Sequence, residues 1–215
     1  MRADARQNRD RIIEVARHLF AERGIDVPMA AVARRAGVGV ATLYRRFPTR
    51  ESLVTAVFAD QFEACVRVID DALTDPDPWR GFCTVIEKVC AMQARDRGFS
   101  AAFVAGFPYP VDFDAGRQRA VAGFVELTRR AQATGQLRSD FTPDDLVLLV
   151  MANSGLVLCV GDLVGGGETS TLGSAASRRL VGFLLGALHG GTAGSLPPPV
   201  PLGLDDVRSP AERAR

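Results

Sequence analysis

The sequence predicts an all-α protein of about nine helices. Apolar residues recur every three or four positions along most of the chain, as in Ile12, Ala16, Leu19 and Phe20, which is the spacing of one helical face. No segment shows the alternation of period two that is typical of a half-buried strand. Glycine and proline residues separate the apolar runs at intervals that suit helices.

The N-terminal segment predicts three short helices. Residues 1–10 form a polar, arginine-rich arm ahead of the first helix, which Gly24 ends as a left-handed cap would. Asp26 is the predicted N-cap of the second helix and Pro28 lies in its first turn. Gly37 ends that helix, so the second and third helices are joined by a glycine turn.

The third predicted helix has the residues that a DNA-reading helix requires. It continues to Phe47, because Pro48 cannot extend it. Small residues at its start are followed by Thr42, Tyr44 and Arg45, which are hydrogen-bonding or cationic. A slender helix can enter the major groove, and cations can hold the phosphates on either side. We therefore interpret residues 1–48 as a DNA-binding head.

The remaining chain predicts a helical body and a disordered tail. Thr49 caps a long fourth helix with an apolar stripe to Leu73. The later helices are expected at 79–97 with Gly98 as the terminator, 99–107, 115–134 with Val125 facing inward, 143–164, and 174–188 after a flexible 165–173. These helices make a body of residues 49–190. The proline-rich composition of residues 191–215 cannot build a core and predicts disorder.

Charge is distributed unevenly between these parts. The first 50 residues hold eleven arginines and five acidic residues, a net charge of +6. Since the whole chain has a net charge of +1, the other 165 residues carry −5. A basic head on an acidic body is the asymmetry expected when one end of a protein meets DNA.

Several function classes find no support in the residue pattern. The four cysteines form no C-x-x-C pair and have no nearby histidine, so we expect no metal site and no cofactor. We find no nucleophile–base pair and no phosphate-binding loop after a strand, which argues against an enzyme. The apolar run 146–164 contains Asn153 and Asp162, which suit a buried helix better than a membrane span. With no apolar signal segment at the N-terminus, a cytoplasmic protein is expected.

The first 60 residues resemble the TetR family of bacterial transcription regulators. The matching residues fall in the first helix, the turn, the third helix and the start of the fourth: Ile12, Ile13, Ala16, Leu19, Phe20 and Gly24; Val32, Ala33, Ala36, Gly37 and Val38; Thr42, Leu43, Tyr44 and Phe47; Arg50, Glu51 and Leu53. The resemblance implies a homodimer that binds a palindromic operator in double-stranded DNA and leaves it when a small molecule enters the body. Pro28 and Met29 depart from the family pattern, which commonly has Ser or Thr there, and Gly39 replaces a usually polar residue.

Seven residues are the candidate DNA contacts: Val40, Ala41, Thr42, Tyr44, Arg45, Arg46 and Arg50. Tyr44 and Thr42 have hydroxyls for phosphate, and Thr42 could instead touch a thymine methyl. Arg45 could read guanine by a bidentate pair or hold a phosphate. Arg46 and Arg50 are expected phosphate contacts, whereas Val40 and Ala41 offer only apolar contacts. The N-terminal arm is a further candidate, reaching the minor groove through Arg2, Arg6 and Arg9.

The body has candidate effector contacts and a candidate dimer interface. The effector contacts are large apolar residues and one amide: Phe62, Met92, Phe103, Phe107, Phe124, Met151 and Asn153. Each large side chain could equally be core, and Asn153 could be a satisfied polar group. The last two helices, about 143–164 and 174–189, are apolar over wide arcs and predict a homodimer. The alternative mechanism is a redox switch at Cys83 or Cys90.

Overall fold

The computed structural model describes residues 2–104, 111–164, 169–190 and 194–198. Within them it has nine helices: α1 (Arg2–Arg23), α2 (Met29–Arg35), α3 (Val40–Arg46), α4 (Arg50–Leu73), α5 (Pro78–Arg95), α6 (Arg97–Val104), α7 (Val111–Ala133), α8 (Asp145–Val164) and α9 (Thr169–Leu188). An isolated antiparallel bridge between Leu137 and His189 is the sole extended pairing of these described residues. The predicted all-α fold is confirmed.

The head differs from the sequence prediction at the N-terminus. Helix α1 begins at Arg2, so residues 2–10 of the predicted arm of residues 1–10 are instead the first turns of a helix. This segment contains no glycine or proline, and its three Arg and two Ala have favourable helix propensities. The guanidinium of Arg9 lies 5.7 Å from the centre of the Phe47 ring, which joins this helix to the end of α3.

The turns of the head follow the predicted glycines but not the predicted cap. Gly24 and Gly37 have φ of +79° and +65°, the left-handed conformation that glycine adopts without strain. The prediction that Asp26 caps α2 is wrong, because Pro28 occupies the N-cap position and makes no side-chain cap bond. Asp26 bonds instead to Arg50 at the start of α4.

Helix α4 passes from the head into the body. Thr49 caps it as predicted: the Ser52 amide donates to the Thr49 hydroxyl at 3.1 Å, and the Thr49 amide donates to the Ser52 hydroxyl at 3.2 Å. Farther along α4, the Phe58 ring lies 6.2 Å from Phe20 of α1 and 6.0 Å from Phe99 of α6, between ring centres. One core therefore runs from the head into the body.

The boundary between α5 and α6 lies at Asp96, so the prediction that Gly98 ends the fifth helix is wrong. Asp96 has an extended backbone and its carboxylate accepts a 3.0 Å bond from the Phe99 amide, which opens a new helix. Gly98 lies inside α6, at a point where α6 packs closely against α4 and α1. A Cβ there would lie 3.0 Å from Phe58 Cζ and 3.3 Å from the carbonyl carbon of Phe20.

Helices α7 and α9 begin earlier than predicted, whereas α8 begins at Asp145, two residues later than predicted. Helix α7 already starts at Val111, and α9 starts at Thr169, within the predicted flexible connection of residues 165–173. Val125 of α7 is exposed rather than inward-facing. Helices α8 and α9 pack on each other and on α5.

Part of the predicted disordered tail is bound to the body. The guanidinium of Arg138 donates to the Gly194 carbonyl at 2.7 Å, and the Leu196 amide donates to the Asp140 carboxylate at 2.7 Å. The Arg138 guanidinium and this backbone bond hold the pKa of Asp140 well below its usual range. A segment without a core can thus be fixed through its backbone, which composition does not reveal.

Candidate nucleic-acid interface

Helix α3 is fixed by apolar side chains on its inner face. Leu43 and Phe47 are buried among Val32, Ala33 and Phe20 of the head. At the turn before α3, Val38 donates a 3.0 Å backbone bond to Ala33. These contacts tie α3 to α2, so the orientation of its outer face is set by the core.

The outer face of α3 is exposed and basic. Val40 is 43% and Tyr44 46% exposed. Ala41, Arg45 and Arg46 are also exposed, whereas Thr42 is half-buried. The structure therefore brings six of the seven predicted DNA contacts to one short helix. A short helix that exposes cations and hydroxyls beside small apolar groups suits contact with phosphates and base edges.

The arginines near α3 fall into two groups. Arg45 and Arg46 form no ion pair within the described part of the chain, so both are available for phosphate or base edges. Arg50, the seventh predicted contact, lies 2.9 Å from the carboxylate of Asp26. Arg35 lies 3.6 Å from Glu22. Arg50 is therefore held at the edge of this face by an acidic neighbour.

The start of α2 offers no side-chain hydroxyl. Pro28 is its N-cap, and its carbonyl accepts a 2.8 Å bond from the Ala31 amide. Met29 is buried in the core of the head. These two residues replace the hydroxyl residue that is common in the similar family, so a side-chain phosphate contact at this point is missing.

The aromatic effector candidates lie in or against one apolar core, but their ring contacts fall into two groups. Phe62 and Phe103 stack with ring centres 6.3 Å apart and both lie against Phe99. Phe124 belongs to a second group, 5.7 Å from Phe82. Met92 is half-buried against the core.

Of the other predicted effector residues, one lies at the surface and one falls outside the described residues. Met151 is 43% exposed on the outer face of α8, so the expectation that it lines an internal site of one chain is wrong. The helical period predicted an apolar residue there but not which face meets solvent. Phe107 falls outside the described residues.

Asn153 is fully buried and its amide already has protein partners. Its Nδ2 donates to Gln93 Oε1 at 2.9 Å and to the Cys90 carbonyl at 3.2 Å. Its Oδ1 accepts from the Ser177 hydroxyl at 2.7 Å. Sequence reasoning missed Gln93, although a glutamine on the apolar stripe of α5 was the available signal.

Cys83 and Cys90, the two cysteines of the predicted redox alternative, do not have the properties of a redox switch, and neither does Cys65. Burial raises the pKa of Cys65 and Cys90 to about 12. Burial, with the negative charges of Glu87 and Asp77, raises the pKa of Cys83 to about 11. Because the thiolate is the reactive form, Cys83 and Cys90 stay unreactive near neutral pH. The redox alternative therefore has no support.

The described residues contain neither a candidate metal site nor a candidate membrane span. Nowhere among them do three or more His, Cys, Asp or Glu side chains come together in a group that could hold a metal ion. Within the same part of the chain, each helix is too short or too polar to cross a membrane.

Comparison with known proteins places the head in a family. The sequence pattern of bacterial regulatory proteins of the tetR family matches residues 12–57, from α1 into α4. An HTH-type transcriptional regulator of Staphylococcus aureus strain USA300 is 44% identical over 54 residues, which cover 25% of this chain and 29% of that protein. A regulator of the strain NCTC 8325 / PS 47 matches equally. The chain thus matches 29% of the length of these curated relatives.

Solved structures extend the likeness in fold to the body. PfmR, a TetR family transcriptional regulator from Thermus thermophilus, has a TM-score of 0.56 at 19% identity, covering 86% of this chain and 98% of PfmR. GusR of Salmonella enterica has a TM-score of 0.52 at 21% identity, covering 85% of this chain and 95% of GusR. At these identities the likeness concerns the fold alone. The helix-turn-helix head, residues 12–57, therefore has the sequence pattern of the TetR family of bacterial regulatory proteins.

Proposed function

We propose that this protein is a sequence-specific transcriptional repressor without catalytic activity that a small apolar effector releases from its operator. The observation that carries the proposal is the exposed face of α3, where Tyr44 and two arginines without an ion pair among the described residues lie on a helix fixed by Leu43 and Phe47. The proposed division of labour is a head of residues 1–48 that binds DNA and a body of residues 49–190 that binds effector and partner. The protein would act in the cytoplasm.

The proposed roles on DNA follow from reach and chemistry. Tyr44 and Thr42 donate hydroxyl hydrogen bonds to phosphates and fix the register of α3. Arg45 reads guanine through two hydrogen bonds in the major groove. Arg46 neutralises phosphate, and Val40 with Ala41 touches thymine methyls. Binding should fall steeply with salt, because each arginine–phosphate contact releases counterions.

The proposed homodimer through α8 and α9 rests on an exposed apolar stripe, in which Phe183 also stacks with Arg179 of its own helix. We define the apolar stripe as the exposed small and apolar residues of these helices: Leu148, Met151, Ala152, Gly155, Cys159 and Leu163 of α8, and Leu172, Ala175, Gly182, Phe183, Gly186 and Ala187 of α9. Phe183 is 63% exposed, and the added Cβ of Gly155, Gly182 or Gly186 would meet nothing within 4 Å. A second copy seated here would bury this surface and allow close helix approach.

The dimer sets the spacing of the two heads. Two copies of α3 must lie roughly 34–36 Å apart to enter successive major grooves of a palindromic operator. Head and body are coupled through α4, since the Arg17 guanidinium of α1 donates to the Val57 carbonyl of α4 at 2.6 Å. An effector that displaces α4 would therefore move α1 and change the spacing of the heads.

Selection of genomic DNA fragments on the purified protein tests the proposal. Sequencing of the retained fragments should yield a palindromic motif, and a mobility-shift titration should show salt-dependent binding to it. Tyr44→Ala should weaken this binding at least tenfold with the fold unchanged by circular dichroism. Lys88→Ala, which removes an exposed cation of the body, should bind as wild type. Absence of an enriched motif would contradict the proposal.

A further inference from the structure

The interior of the body contains a polar cluster that joins four helices. We define the polar cluster as Gln93 of α5, Ser100 of α6, Asn153 and Ser154 of α8, and Ser177 of α9, all at most 1% exposed. The Ser100 and Ser154 hydroxyls are hydrogen-bonded to each other. Asn153 bonds to Gln93 and Ser177. Five buried polar side chains among apolar helices specify a defined arrangement only when their hydrogen bonds are made.

One amide group of the polar cluster has no protein partner. Gln93 Oε1 accepts the hydrogen bond of Asn153, while Gln93 Nε2 is buried and unpaired within the described part of the chain. Exchanging the two amide atoms of Gln93 would oppose two donors and leave Oε1 unpaired, so one end is unmatched either way. Buried polar groups are nearly always paired, and an unpaired one costs free energy.

We propose that Gln93 Nε2 donates a hydrogen bond to an acceptor oxygen of a neutral small molecule bound inside the body. Gln93, rather than Asn153, then recognises the effector. Asn153 is a positioning residue. Its bonds to the Cys90 carbonyl and to Ser177 fix its own amide, and that amide donates to Gln93. The inference rests on the proposed function as an effector-responsive regulator.

The charge of the surroundings selects the class of molecule. The buried polar residues that the structure describes are all neutral: Thr55, Gln93, Ser100, Thr128, Asn153, Ser154 and Ser177. An ionised ligand would be buried there without a counter-charge, which costs far more than one hydrogen bond returns. A carbonyl, ether or alcohol oxygen accepts the Gln93 hydrogen bond without that cost.

The aromatic residues near Ser100 on α6 indicate the chemistry of the rest of the proposed ligand. Ser100 of the polar cluster directly follows Phe99 in the chain, and the Phe99 ring lies 5.6 Å from Phe103, between ring centres. Phe62 packs on both rings. An apolar or aromatic body beside these rings, joined to one acceptor oxygen, matches the chemistry of this part of the interior.

Three probes of similar size on the full chain test the inference. Acetophenone has a carbonyl acceptor, ethylbenzene lacks it and benzoate is ionised. Titrations of protein with ¹⁵N-labelled glutamine follow each side-chain amide by NMR, and Gln93→Met identifies the Gln93 signal. Acetophenone should shift that signal and bind at least about fivefold more tightly than ethylbenzene. Benzoate should leave the signal in place.

Matched variants locate the hydrogen bond. Gln93→Met keeps the length of the side chain without its amide, so the preference for acetophenone over ethylbenzene should disappear while ethylbenzene still binds. Gln118→Met, at an exposed glutamine of α7, should keep the preference. Should Gln93→Met not fold, Gln93→Leu takes its place, both to identify the Gln93 signal and to test the preference among the probes.

Several outcomes would overturn the inference. These are equal binding of acetophenone and ethylbenzene, tightest binding by benzoate, an unshifted Gln93 signal with every probe, or a preference that survives Gln93→Met. Operator binding with no preference among probes would overturn the Gln93 site and leave the regulator intact. Acetophenone bound at Gln93 with unchanged operator affinity would support the site and contradict effector release.

Discussion

The guanidinium of Arg50 lies 2.9 Å from the carboxylate of Asp26, at the edge of the exposed face of α3. The Arg50 side chain is 38% exposed and the Asp26 side chain 89%. A cation predicted to hold phosphate therefore has an acidic neighbour that phosphate must replace. Because an exposed pair contributes only about 0–1 kcal/mol to stability, its main effect should be on DNA binding rather than on folding.

Asp26→Asn should raise operator affinity severalfold at low salt. The substitution removes a negative charge beside the phosphates and frees Arg50 for one more contact, so the slope of log affinity against log salt should steepen by about one. Fluorescence anisotropy at several salt concentrations measures both quantities. Glu22→Gln, which frees Arg35 instead, is the control. Weaker binding by Asp26→Asn would mean that Asp26 orients Arg50.

Arg45→Ala should relax the preference at one base pair of each half-site and cost about 1–3 kcal/mol there. Arg46→Ala should instead lower affinity by a similar factor for every sequence, because a phosphate contact carries no sequence information. Binding to a library of operator variants separates the two patterns. A uniform loss with Arg45→Ala would assign Arg45 to the backbone.

Gly98→Ala should destabilise the protein by about 1–3 kcal/mol, the usual cost of overpacking. The added Cβ would lie 3.0 Å from the Phe58 ring and 3.3 Å from the Phe20 backbone, at the junction of head and body. Urea denaturation gives the free energy of unfolding. Gly39→Ala, where the nearest atom would be 3.9 Å away, is the matched control. Equal stability of the two variants would show that α6 can move away from the head.

Phe183→Glu should convert the homodimer to a monomer at micromolar concentration. It replaces the ring on which the Arg179 guanidinium stacks at 4.9 Å with a carboxylate, so a second copy would have to desolvate two charges instead of burying an apolar ring. Light scattering coupled to gel filtration measures the mass. Val125→Glu replaces a residue of α7 that is 44% exposed and lies outside the stripe, and it should stay dimeric. A monomeric wild-type protein would contradict the interface.

Peroxide should leave operator affinity unchanged at neutral pH. Burial holds the pKa of Cys90 near 12 and that of Cys83 near 11, so the reactive thiolate is scarce until the pH approaches these values. Mobility shifts before and after peroxide, and again after DTT, provide the measurement. DNA release that DTT reverses would restore a redox mechanism.

The amino-acid sequence alone was sufficient for the fold class and the reading helix. Apolar periodicity and the position of Gly24, Gly37 and Pro48 depend on local geometry, so the helices and turns of the head could be predicted within a few residues, apart from the start of α1. The Thr49 cap was predictable for the same reason. The exposed residues of α3 were predictable as well, because burial of Leu43 determines which side of the helix faces solvent.

Only the tertiary structure decided what each polar group contacts. Asp26 is adjacent in sequence to α2 but bonds to Arg50, 24 residues away. Asn153 and Gln93 are 60 residues apart and Arg138 reaches Gly194 across 56. Helical period gives the face of a side chain but not the neighbour opposite it. Such pairings depend on how the helices pack. The Asp26 charge beside the exposed face of α3 and the unpaired amide of Gln93 could therefore be identified only from the tertiary structure.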